Sequence, residues 1–323
     1  MTLPRTDAHR LAIVVPCYNE EEVLPETATR LTALLEELIS EGLAADNSGI
    51  YFIDDGSRDA TWSIIRALAL AKPAVHGIRL SRNRGHQNAL EAGLFNADGD
   101  VLISIDADLQ DDITVMRDMM RAYHQGAEIV FGVRKSRYKD TWFKRESAQF
   151  FYRLMKLMGV ELVFNHADYR LMSRRAVDFL HEFSEVNLFL RGIIPLIGLE
   201  TATVHYDRHK RFAGESKYPL RKQISLALNG ITSFSVAPLR MITVTGITVS
   251  SISIGLALWA LSRALFSEAI VPGWTSTVVP LLLLGGVQIL ALGVIGEYLA
   301  KTYMETKRRP RFFIAETTRP DGD

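Results

Sequence analysis

The segment VLISIDADLQDD, residues 101–112, carries the strongest fold signal in the chain. It begins as an apolar run rich in β-branched residues, which is typical of a buried strand, and it ends with four carboxylates and one amide within seven residues. Two interpretations are open at this point. Either the carboxylates form an ordinary solvated turn, or they are placed to be neutralised by a cation, and the rest of the chain decides between the two.

Short apolar runs alternate with helical patterns over residues 1–215. The clearest helical pattern covers residues 22–42 and stops at Gly42. This alternation predicts an α/β fold, in which helices cover both faces of a largely parallel sheet. The five apolar runs are residues 11–15, 50–54, 76–80, 101–106 and 128–133.

Polar segments follow the first four runs, at the carboxyl ends of the predicted strands. They read PCYNEEE, DDGSRDAT, SRNRGHQNA and DADLQDD, and three of the four carry carboxylates. Because ligands of parallel sheets bind at the carboxyl ends of the strands, we expect these segments to form one binding site.

The overall composition narrows the possible partners and compartments. Lysine plus arginine equals aspartate plus glutamate, at 37 each, so the net charge gives no sign of nucleic-acid binding. Cys17 is the only cysteine, which excludes an intramolecular disulfide and suits a reducing compartment. The first apolar run is too short for the core of a signal peptide, so we expect the N-terminal region to stay in the cytoplasm.

Two uncharged stretches near the C-terminus predict transmembrane helices. Residues 241–262 and 269–296 contain no charged side chain, and each stretch is long enough to cross a bilayer. Two buried helices of a soluble domain would be expected to show a charged face. Basic residues cluster before the first stretch and after the second, which predicts that both termini face the cytoplasm.

The segment before the first stretch, residues 218–239, mixes basic and apolar side chains. This pattern fits a helix in the membrane interface, or an amphipathic helix that packs on the soluble domain. We therefore predict four regions: a catalytic domain (1–215), a juxtamembrane amphipathic helix (216–238), a two-helix transmembrane hairpin (239–300) and a cytoplasmic tail (301–323).

Eight segments in register resemble a known enzyme family. VVPCYNEEE, FIDDGSRDAT, RLSRNRGHQNALEAGL and ISIDADLQDD resemble family 2 glycosyltransferases, which bind nucleotide sugars on an A-type fold with a Rossmann-like, mixed and mostly parallel sheet. DYRLMSR, NLFLRGI, RFAGESKY and GEYLAKTYMETKRRPRF are similar to the membrane-anchored polyprenyl-phosphate branch, which includes bactoprenol glucosyltransferases and dolichol-phosphate mannosyltransferases. The resemblance covers nearly the whole chain.

The carboxylates of the opening segment suit a divalent cation. Asp106 and Asp108 stand two residues apart just past a strand, so their side chains can converge on Mg²⁺ or Mn²⁺, with Gln110 as a further oxygen ligand. Such an ion would bridge the diphosphate of a nucleotide sugar. Asp112 is expected to start the next helix, and Asp111 is either a support for the site or a surface residue.

The resemblance implies a nucleotide-sugar site around these carboxylates. Asp54 and Asp55 are expected to contact the base and the ribose, and Glu20 to lie beside the nucleotide. Pro16 is expected to end the first strand, and Asn19 either binds the nucleotide or only shapes its loop. The predicted nucleotide-sugar set is Pro16, Asn19, Glu20, Asp54, Asp55, Asp106, Ala107 and Asp108.

Two basic runs, residues 132–147 and 208–218, suit an anionic acceptor. They are solvated basic faces, or they hold a lipid phosphate at the bilayer surface. The predicted acceptor-phosphate residues are Arg134, Arg137, Arg145, Arg211 and Lys217.

The predicted catalytic residues are Asp168, Asp108 and Arg134. Asp168 matches the proposed base of the family; alternatively it orients the acceptor or forms a salt bridge to Arg170 or Arg174. The pair His205 and His209 has metal-ligand spacing, but no cysteine pair or HExxH motif accompanies it, which disfavours zinc.

The resemblance implies inverting transfer of one hexose, with glucose from UDP-glucose as the favoured donor, to undecaprenyl or another polyprenyl phosphate. It also implies a homotetramer in the cytoplasmic membrane, with the catalytic domain on the cytoplasmic side. GDP-mannose, UDP-GlcNAc and modified UDP-sugars remain alternative donors, and an inactive nucleotide-sugar-binding scaffold is an alternative function. A processive synthase would show QxxRW and more spans, and a dinucleotide-dependent oxidoreductase would show GxGxxG after the first strand.

Overall fold

The computed structural model divides the chain into two compact units, each treated separately below. The first unit contains the sheet and the second contains two long helices. The structure describes residues 8–134, 166–185, 190–207, 237–266 and 274–318.

Eight strands in the described residues form one sheet, in the order β7-β5-β6-β4-β1-β2-β3-β8. The strands are β1 (Leu11–Cys17), β2 (Gly49–Asp54), β3 (Val75–Leu80), β4 (Val101–Ser104), β5 (Ile129–Arg134), β6 (His166–Ser173), β7 (Thr201–Tyr206) and β8 (Ile314–Thr317).

Six of these strands run in the same direction. The β1–β2, β1–β4, β2–β3 and β5–β7 pairs are parallel, whereas β6 is antiparallel to β4 and β5, and β8 is antiparallel to β3. The predicted α/β fold with a mixed, mostly parallel sheet is therefore confirmed. The carboxyl ends of the six like-directed strands and the amino end of β6 share one side of the sheet, which we call the carboxyl edge.

All five predicted strands are present, and three strands were missed. β6 and β7 lie in segments where strand-like and helix-like patterns do not alternate clearly, and β8 lies in the predicted C-terminal tail. Pro16 does not end the first strand as predicted, because β1 continues to Cys17 and Pro16 pairs with Ile53 inside it.

Helices pack on the sheet as the apolar periodicity predicts. In α1 the side chains of Leu24, Leu31 and Leu38 are fully buried, and Gly42 follows in the left-handed conformation (φ +72°) that favours glycine. Among the described residues, the helices of the first unit are α1 (Leu24–Ser40), α2 (Thr61–Ala71), α3 (His86–Asn96), α4 (Met116–His124), α5 (Arg174–His181) and α6 (Leu190–Leu196).

Helix α3 approaches the sheet closely because of Gly93. A Cβ atom at this position would lie 2.3 Å from Cγ1 of Val14 and 2.7 Å from Cγ1 of Ile53. Only glycine fits between these side chains of β1 and β2. The close contact fixes the position of α3, whose first residue, His86, lies at the carboxyl edge.

The segment after the second long helix returns to the sheet as β8. The backbone N–H of Ser81 donates to the carbonyl of Phe313, and Trp62 Nε1 donates to Glu316. Arg311 forms an ion pair with Glu91 of α3, whose side chain is only 1% exposed. The end of the chain is therefore an integral part of the sheet-containing unit.

The part of the second unit that the structure describes contains α7 (Ala237–Phe266) and α8 (Trp274–Thr306). Within the described residues, one stretch, Leu284–Thr306 in α8, is long and apolar enough to cross a membrane. The predicted interfacial helix lies almost entirely outside the described residues.

We expect the buried carboxyl of Glu91 to make stability depend on pH. Burial raises its pKa from 4.5 to about 7, although Arg311 opposes the shift. Because the folded state holds this proton more tightly than the unfolded state, the stabilisation is present below pH 4.5 and is lost as the pH rises to about 7. A shift of this size corresponds to about 3 kcal/mol.

Thermal unfolding of the purified chain between pH 5 and pH 8 tests this expectation. Glu91→Gln cannot titrate, so its melting temperature should rise relative to wild type as the pH increases. Glu36→Gln, at an exposed position of α1, should run parallel to wild type. A Glu91→Gln curve that also runs parallel to wild type would contradict the prediction.

Candidate functional site

The loop after β4 presents its carboxylates at the carboxyl edge. Its shape is set locally: Leu109 adopts a left-handed conformation (φ +53°), and the backbone N–H of Gln110 donates to Asp108 Oδ1 at 3.2 Å. Asp112 accepts from the N–H of Thr114 and begins the short 3₁₀ turn, as predicted. The side chain of Asp106 is 37% exposed.

The side chains of this loop are of the kind that bind a hard divalent cation. Asp106, Asp108 and Gln110 offer oxygen ligands of the kind that Mg²⁺ and Mn²⁺ take. Partial burial raises the pKa of Asp106, and the nearby carboxylates of Asp168, Asp111 and Asp108 raise it further, against the effect of His86. Over the described ranges, no group of three or more Asp, Glu, His or Cys side chains could hold a metal alone.

Asp168 lies beside this loop because β6 is antiparallel to β4. Ser104 Oγ donates to the carbonyl of Asp168 at 2.7 Å, which joins the two strand ends. The Asp168 carboxylate accepts from Arg170, which is only 1% exposed, and from Nε and Nη2 of Arg191 at 3.2 and 3.0 Å. Of the two salt bridges considered for Asp168, the one to Arg170 is present. Arg174 instead donates to backbone carbonyls.

His86 connects the two acidic groups. Its Nε2 lies 3.5 Å from Asp106 Oδ1 and 3.6 Å from Asp168 Oδ2. Burial lowers the pKa of His86, but Asp168 and Asp106 outweigh this and raise it to about 9. For Asp168 the directions are reversed: burial raises the pKa of its carboxyl, but the cationic side chains of Arg191, His86 and Arg170 bring that pKa well below its usual value. Asp168 is thus a carboxylate held by three cationic side chains.

A second cluster stands at the ends of β5 and β7. Arg134 is the last residue of β5, and Tyr206 is its register partner at the end of β7. Tyr206 donates to Asp111 at 2.7 Å, and Arg134 donates to both Asp111 and Tyr206 at 3.3 Å. The sequence left open whether Asp111 supports the site or lies on the surface. The residue is only 4% exposed, so it supports the site from beneath.

The two acidic residues at the end of β2 are buried and bound within the protein. Asp54 accepts from the N–H of Ser57 at 3.0 Å and lies 3.3 Å from Arg79 Nε. Asp55 accepts from the N–H groups of Arg84 and Gly85 at 2.6 and 2.8 Å. Asp55 therefore holds the loop after β3 against the end of β2.

The loop after β1 packs on the same region. Asn19 has a left-handed backbone (φ +54°), and its side-chain oxygen accepts from the N–H of Arg58 at 2.9 Å. The N–H of Glu20 donates to Thr61 Oγ1, also at 2.9 Å. Asn19 thus shapes the loop, one of the two roles considered for it. Ala107 is buried, and its carbonyl accepts from Thr27 Oγ1.

A cavity of about 450 Å³ opens beside these loops, between the turn after β2, the end of β3 and β8. Three arginines make it strongly basic, and Ala315 closes it from the side of β8. The lining residues are Gly56, Arg58, Arg79, Leu80, Ser81, Arg82, Asn83 and Ala315.

The structure thus gathers most of the predicted site at the carboxyl edge. It adds His86, Arg191 and Tyr206, which the predicted site did not contain. His86 and Arg191 both lie in segments that carry the family resemblance, RLSRNRGHQNALEAGL and NLFLRGI, and His86 also closely follows a strand. Tyr206 lies in none of these segments, so the sequence gave no signal for it. Arg137, Arg145, Arg211 and Lys217 lie outside the described residues.

Comparisons with known proteins identify relatives over most of the chain. The model of the family Glycosyl transferase family 2 matches residues 12–180. The chain is 50% identical over 306 residues to the uncharacterized glycosyltransferase YkoT of Bacillus subtilis (strain 168), covering 94% of this chain and 90% of that protein. It is 41% identical over 306 residues to the prophage bactoprenol glucosyl transferase homolog of Escherichia coli (strain K12), covering 94% and 98%.

Among solved structures, the chain is similar to glucosyl-3-phosphoglycerate synthase from Mycobacterium tuberculosis in complex with Mn²⁺, UDP-Glc and phosphoglyceric acid. The identity is 17%, the TM-score is 0.45, and the match covers 69% of this chain and 78% of that chain.

We expect Asp168 to be essential for stability because it neutralises a buried cation. In the described part of the chain, Nε and Nη1 of Arg170 have no hydrogen-bond partner, so Asp168 is the group that compensates its charge. Asp168→Ala should lower the free energy of unfolding by about 3–5 kcal/mol, the usual cost of leaving a buried charge unpaired.

Denaturant unfolding of the full chain measures this cost. Arg191→Ala is the matched control, because it removes a partner of Asp168 that is 36% exposed and leaves the Arg170 pair intact. Its effect should be clearly smaller. Equal losses for the two variants would show that Arg170 does not depend on Asp168.

Proposed function

The chain belongs to glycosyltransferase family 2, and on that basis we propose that it transfers one hexose to a polyprenyl phosphate. The proposed donor is UDP-glucose, the proposed acceptor is undecaprenyl phosphate, and the reaction inverts the anomeric centre. The product is a polyprenyl-phospho-sugar formed at the cytoplasmic face of the membrane.

One observation carries the choice of substrates. The relative named as a bactoprenol glucosyl transferase homolog aligns over 98% of its length at 41% identity, so the similarity includes the region after the catalytic domain. The site geometry supports the same reaction class, because carboxylates and cationic side chains stand next to each other at the carboxyl edge.

The proposed donor site has an acidic part and a basic part. Asp106, Asp108 and Gln110 would hold Mg²⁺ or Mn²⁺, which would neutralise the diphosphate and stabilise the departing nucleoside diphosphate. The basic cavity beside Asp54 offers space and hydrogen-bonding groups for the nucleoside part of the donor. Asp55 and Asn19 would act by holding the loops around this cavity.

The chemical step needs little general acid–base catalysis. A phosphate oxygen of the acceptor attacks C1 of the sugar, and the bond from C1 to the β-phosphate oxygen breaks, so that UDP leaves. A phosphate monoester is largely dianionic at neutral pH, so no proton has to be removed from the nucleophile. Arg134 would hold the acceptor phosphate, and positioning would supply most of the rate.

The second unit would serve as the membrane anchor. We propose that α7 and α8 form a two-helix hairpin with both chain termini in the cytoplasm. Large apolar side chains on both helices are exposed, such as Ile247 (63%), Trp259 (61%) and Leu290 (69%), as lipid contact requires.

The homotetramer implied by the resemblance would be tested by the mass of the detergent-solubilised protein.

Alanine at Asp106 or Asp108 should abolish transfer. Purified chain, UDP-[¹⁴C]glucose, undecaprenyl phosphate and Mn²⁺ should give a radiolabelled lipid, and each variant should lower the rate at least about 100-fold because the diphosphate charge is no longer neutralised. Asp112→Asn is the matched control, since it keeps the cap of the 3₁₀ turn in the same loop and should retain activity.

The transfer assay also separates the alternatives. A panel of UDP-GlcNAc, GDP-mannose and UDP-glucose identifies the donor, and chromatography of the lipid product distinguishes a single sugar from a polymer. Full activity of Asp106→Ala and Asp108→Ala would defeat the metal assignment. Absence of transfer from every donor, with a folded protein, would favour a binding scaffold.

The membrane topology can be determined by labelling introduced cysteines. The natural Cys17 is only 2% exposed, so it should not react with the label. Ala269→Cys, between the two helices, should react with a membrane-impermeant maleimide in intact cells. Asp46→Cys, exposed in the catalytic domain, should react only after the membrane is opened. Labelling of both positions from the same side would contradict the hairpin.

A further inference from the structure

We propose that Tyr206 and Asp111 are positioning residues, which fix the guanidinium of Arg134 so that it receives the phosphate of the acceptor. This inference rests on the proposed function, because it presumes that a phosphate is bound at the carboxyl edge. Tyr206 is absent from the site that the sequence predicts, and Asp111 appears there only as a possible support or a surface residue.

The three side chains form a closed triangle of hydrogen bonds. The Tyr206 hydroxyl donates to Asp111 Oδ1 at 2.7 Å, Arg134 Nη2 donates to the same oxygen at 3.3 Å, and Arg134 Nε donates to the Tyr206 oxygen at 3.3 Å. Each group therefore has two partners in the cluster. A rotation of any one side chain breaks two of the three bonds.

The triangle leaves one side of Arg134 available for a ligand. Tyr206 is 2% exposed and Asp111 is 4% exposed, whereas the side chain of Arg134 is 24% exposed. Its Nη1 makes no hydrogen bond to any residue in the described part of the chain. A guanidinium presents N–H groups in a fixed plane, so holding Nε and Nη2 sets the direction in which Nη1 points.

The electrostatics fit an anion-binding cation. Burial lowers the pKa of Arg134, but the carboxylate of Asp111 outweighs this and raises it, so the side chain remains charged beneath the surface. An arginine without a fixed partner on a strand end would sample many rotamers. Asp111 and Tyr206 remove this freedom before the substrate binds.

The triangle also joins three parts of the carboxyl edge. Asp111 follows the proposed metal ligand Asp108 by three positions, and Arg134 and Tyr206 are register partners at the ends of β5 and β7. The cation for the acceptor is therefore held at a fixed place relative to the loop that would bind the donor diphosphate. Transfer between two substrates depends on such fixed placement of the reacting atoms.

Tyr206→Phe in the full-length protein tests the proposal. The substitution keeps the ring and its edge contact with Tyr169 (centroids 5.4 Å apart) and removes only the hydroxyl. We expect kcat/KM for polyprenyl phosphate to fall about 10- to 100-fold, the range in which small misplacement lowers rates. The KM for the sugar nucleotide should change by less than about twofold, since the proposed donor ligands Asp106, Asp108 and Gln110 are unchanged and, among the described residues, the removed hydroxyl binds only Asp111 and Arg134.

Tyr51→Phe is the matched control. Tyr51 is also a buried strand tyrosine (2% exposed), and its hydroxyl donates at 3.4 Å to the carbonyl of Asp98, away from the proposed site. It should keep wild-type kinetics. A Tyr206→Phe enzyme with acceptor kcat/KM within twofold of wild type overturns the proposal, and a loss confined to donor KM overturns the assignment to the acceptor.

A double-mutant cycle separates positioning from a general structural role. Arg134→Lys keeps the charge but loses the planar, paired N–H groups. If Tyr206 acts through Arg134, adding Tyr206→Phe to Arg134→Lys should cost much less acceptor kcat/KM than it costs in wild type. Equal costs in both backgrounds overturn the proposal.

Failure of the proposed function is distinguishable from failure of this inference. A wild-type chain that transfers no sugar to polyprenyl phosphate refutes the function. The triangle itself is then tested by thermal unfolding of the wild type, Tyr206→Phe, Arg134→Lys and the double variant. Non-additive changes in melting temperature support the fixed contact between Tyr206 and Arg134, and additive changes overturn it.

Discussion

The organisation of the carboxyl edge depends on the neutralisation of crowded carboxylates by cationic side chains that come from distant parts of the chain. A carboxylate removed from water is stable only when it is paired and hydrogen-bonded. The protein supplies such partners to two of the four acidic groups, Asp168 and Asp111, from its own arginines. Asp106, in the loop after β4, lies beside His86. The arginine-paired carboxylates Asp168 and Asp111 therefore support the edge on which the proposed cation ligands stand.

The reversed strand β6 is the element that creates this arrangement. In a fully parallel sheet, residue 168 would stand at the opposite edge from the loop after β4. Because β6 is antiparallel to both β4 and β5, its first residues meet the ends of these two strands. Asp168 therefore lies between His86 and Arg191, and its carboxylate interacts with both side chains. In that environment the carboxylate is suited to fixing its neighbours, and the phosphate nucleophile of the proposed reaction needs no base.

After the second long helix, the chain returns to the sheet-containing unit as β8. β8 covers the outer edge of β3, which would otherwise expose unpaired backbone groups. Ala315 closes one side of the basic cavity, and Arg311 fixes α3 through Glu91. The residues after α8 thus contribute to the surroundings of the site as well as to the stability of the sheet.

The sequence by itself determined the five apolar strands, the helices between them and the family, because these follow from local periodicity and from contiguous motifs. It also located Asp106 and Asp108, since a strand that ends in carboxylates is visible in a few neighbouring residues. It offered Arg170 as a possible partner of Asp168, but it did not reveal β8, the contact of Arg191 with Asp168, or the partners of Asp111. Arg191 lies in the motif NLFLRGI, but nothing local connects it to Asp168, 23 positions away. Tyr206 is 95 positions from Asp111 and lies in no quoted motif. Only the tertiary structure decided which cation meets which carboxylate, because strand order and direction, and not sequence distance, set the spacing of side chains at the edge of a sheet.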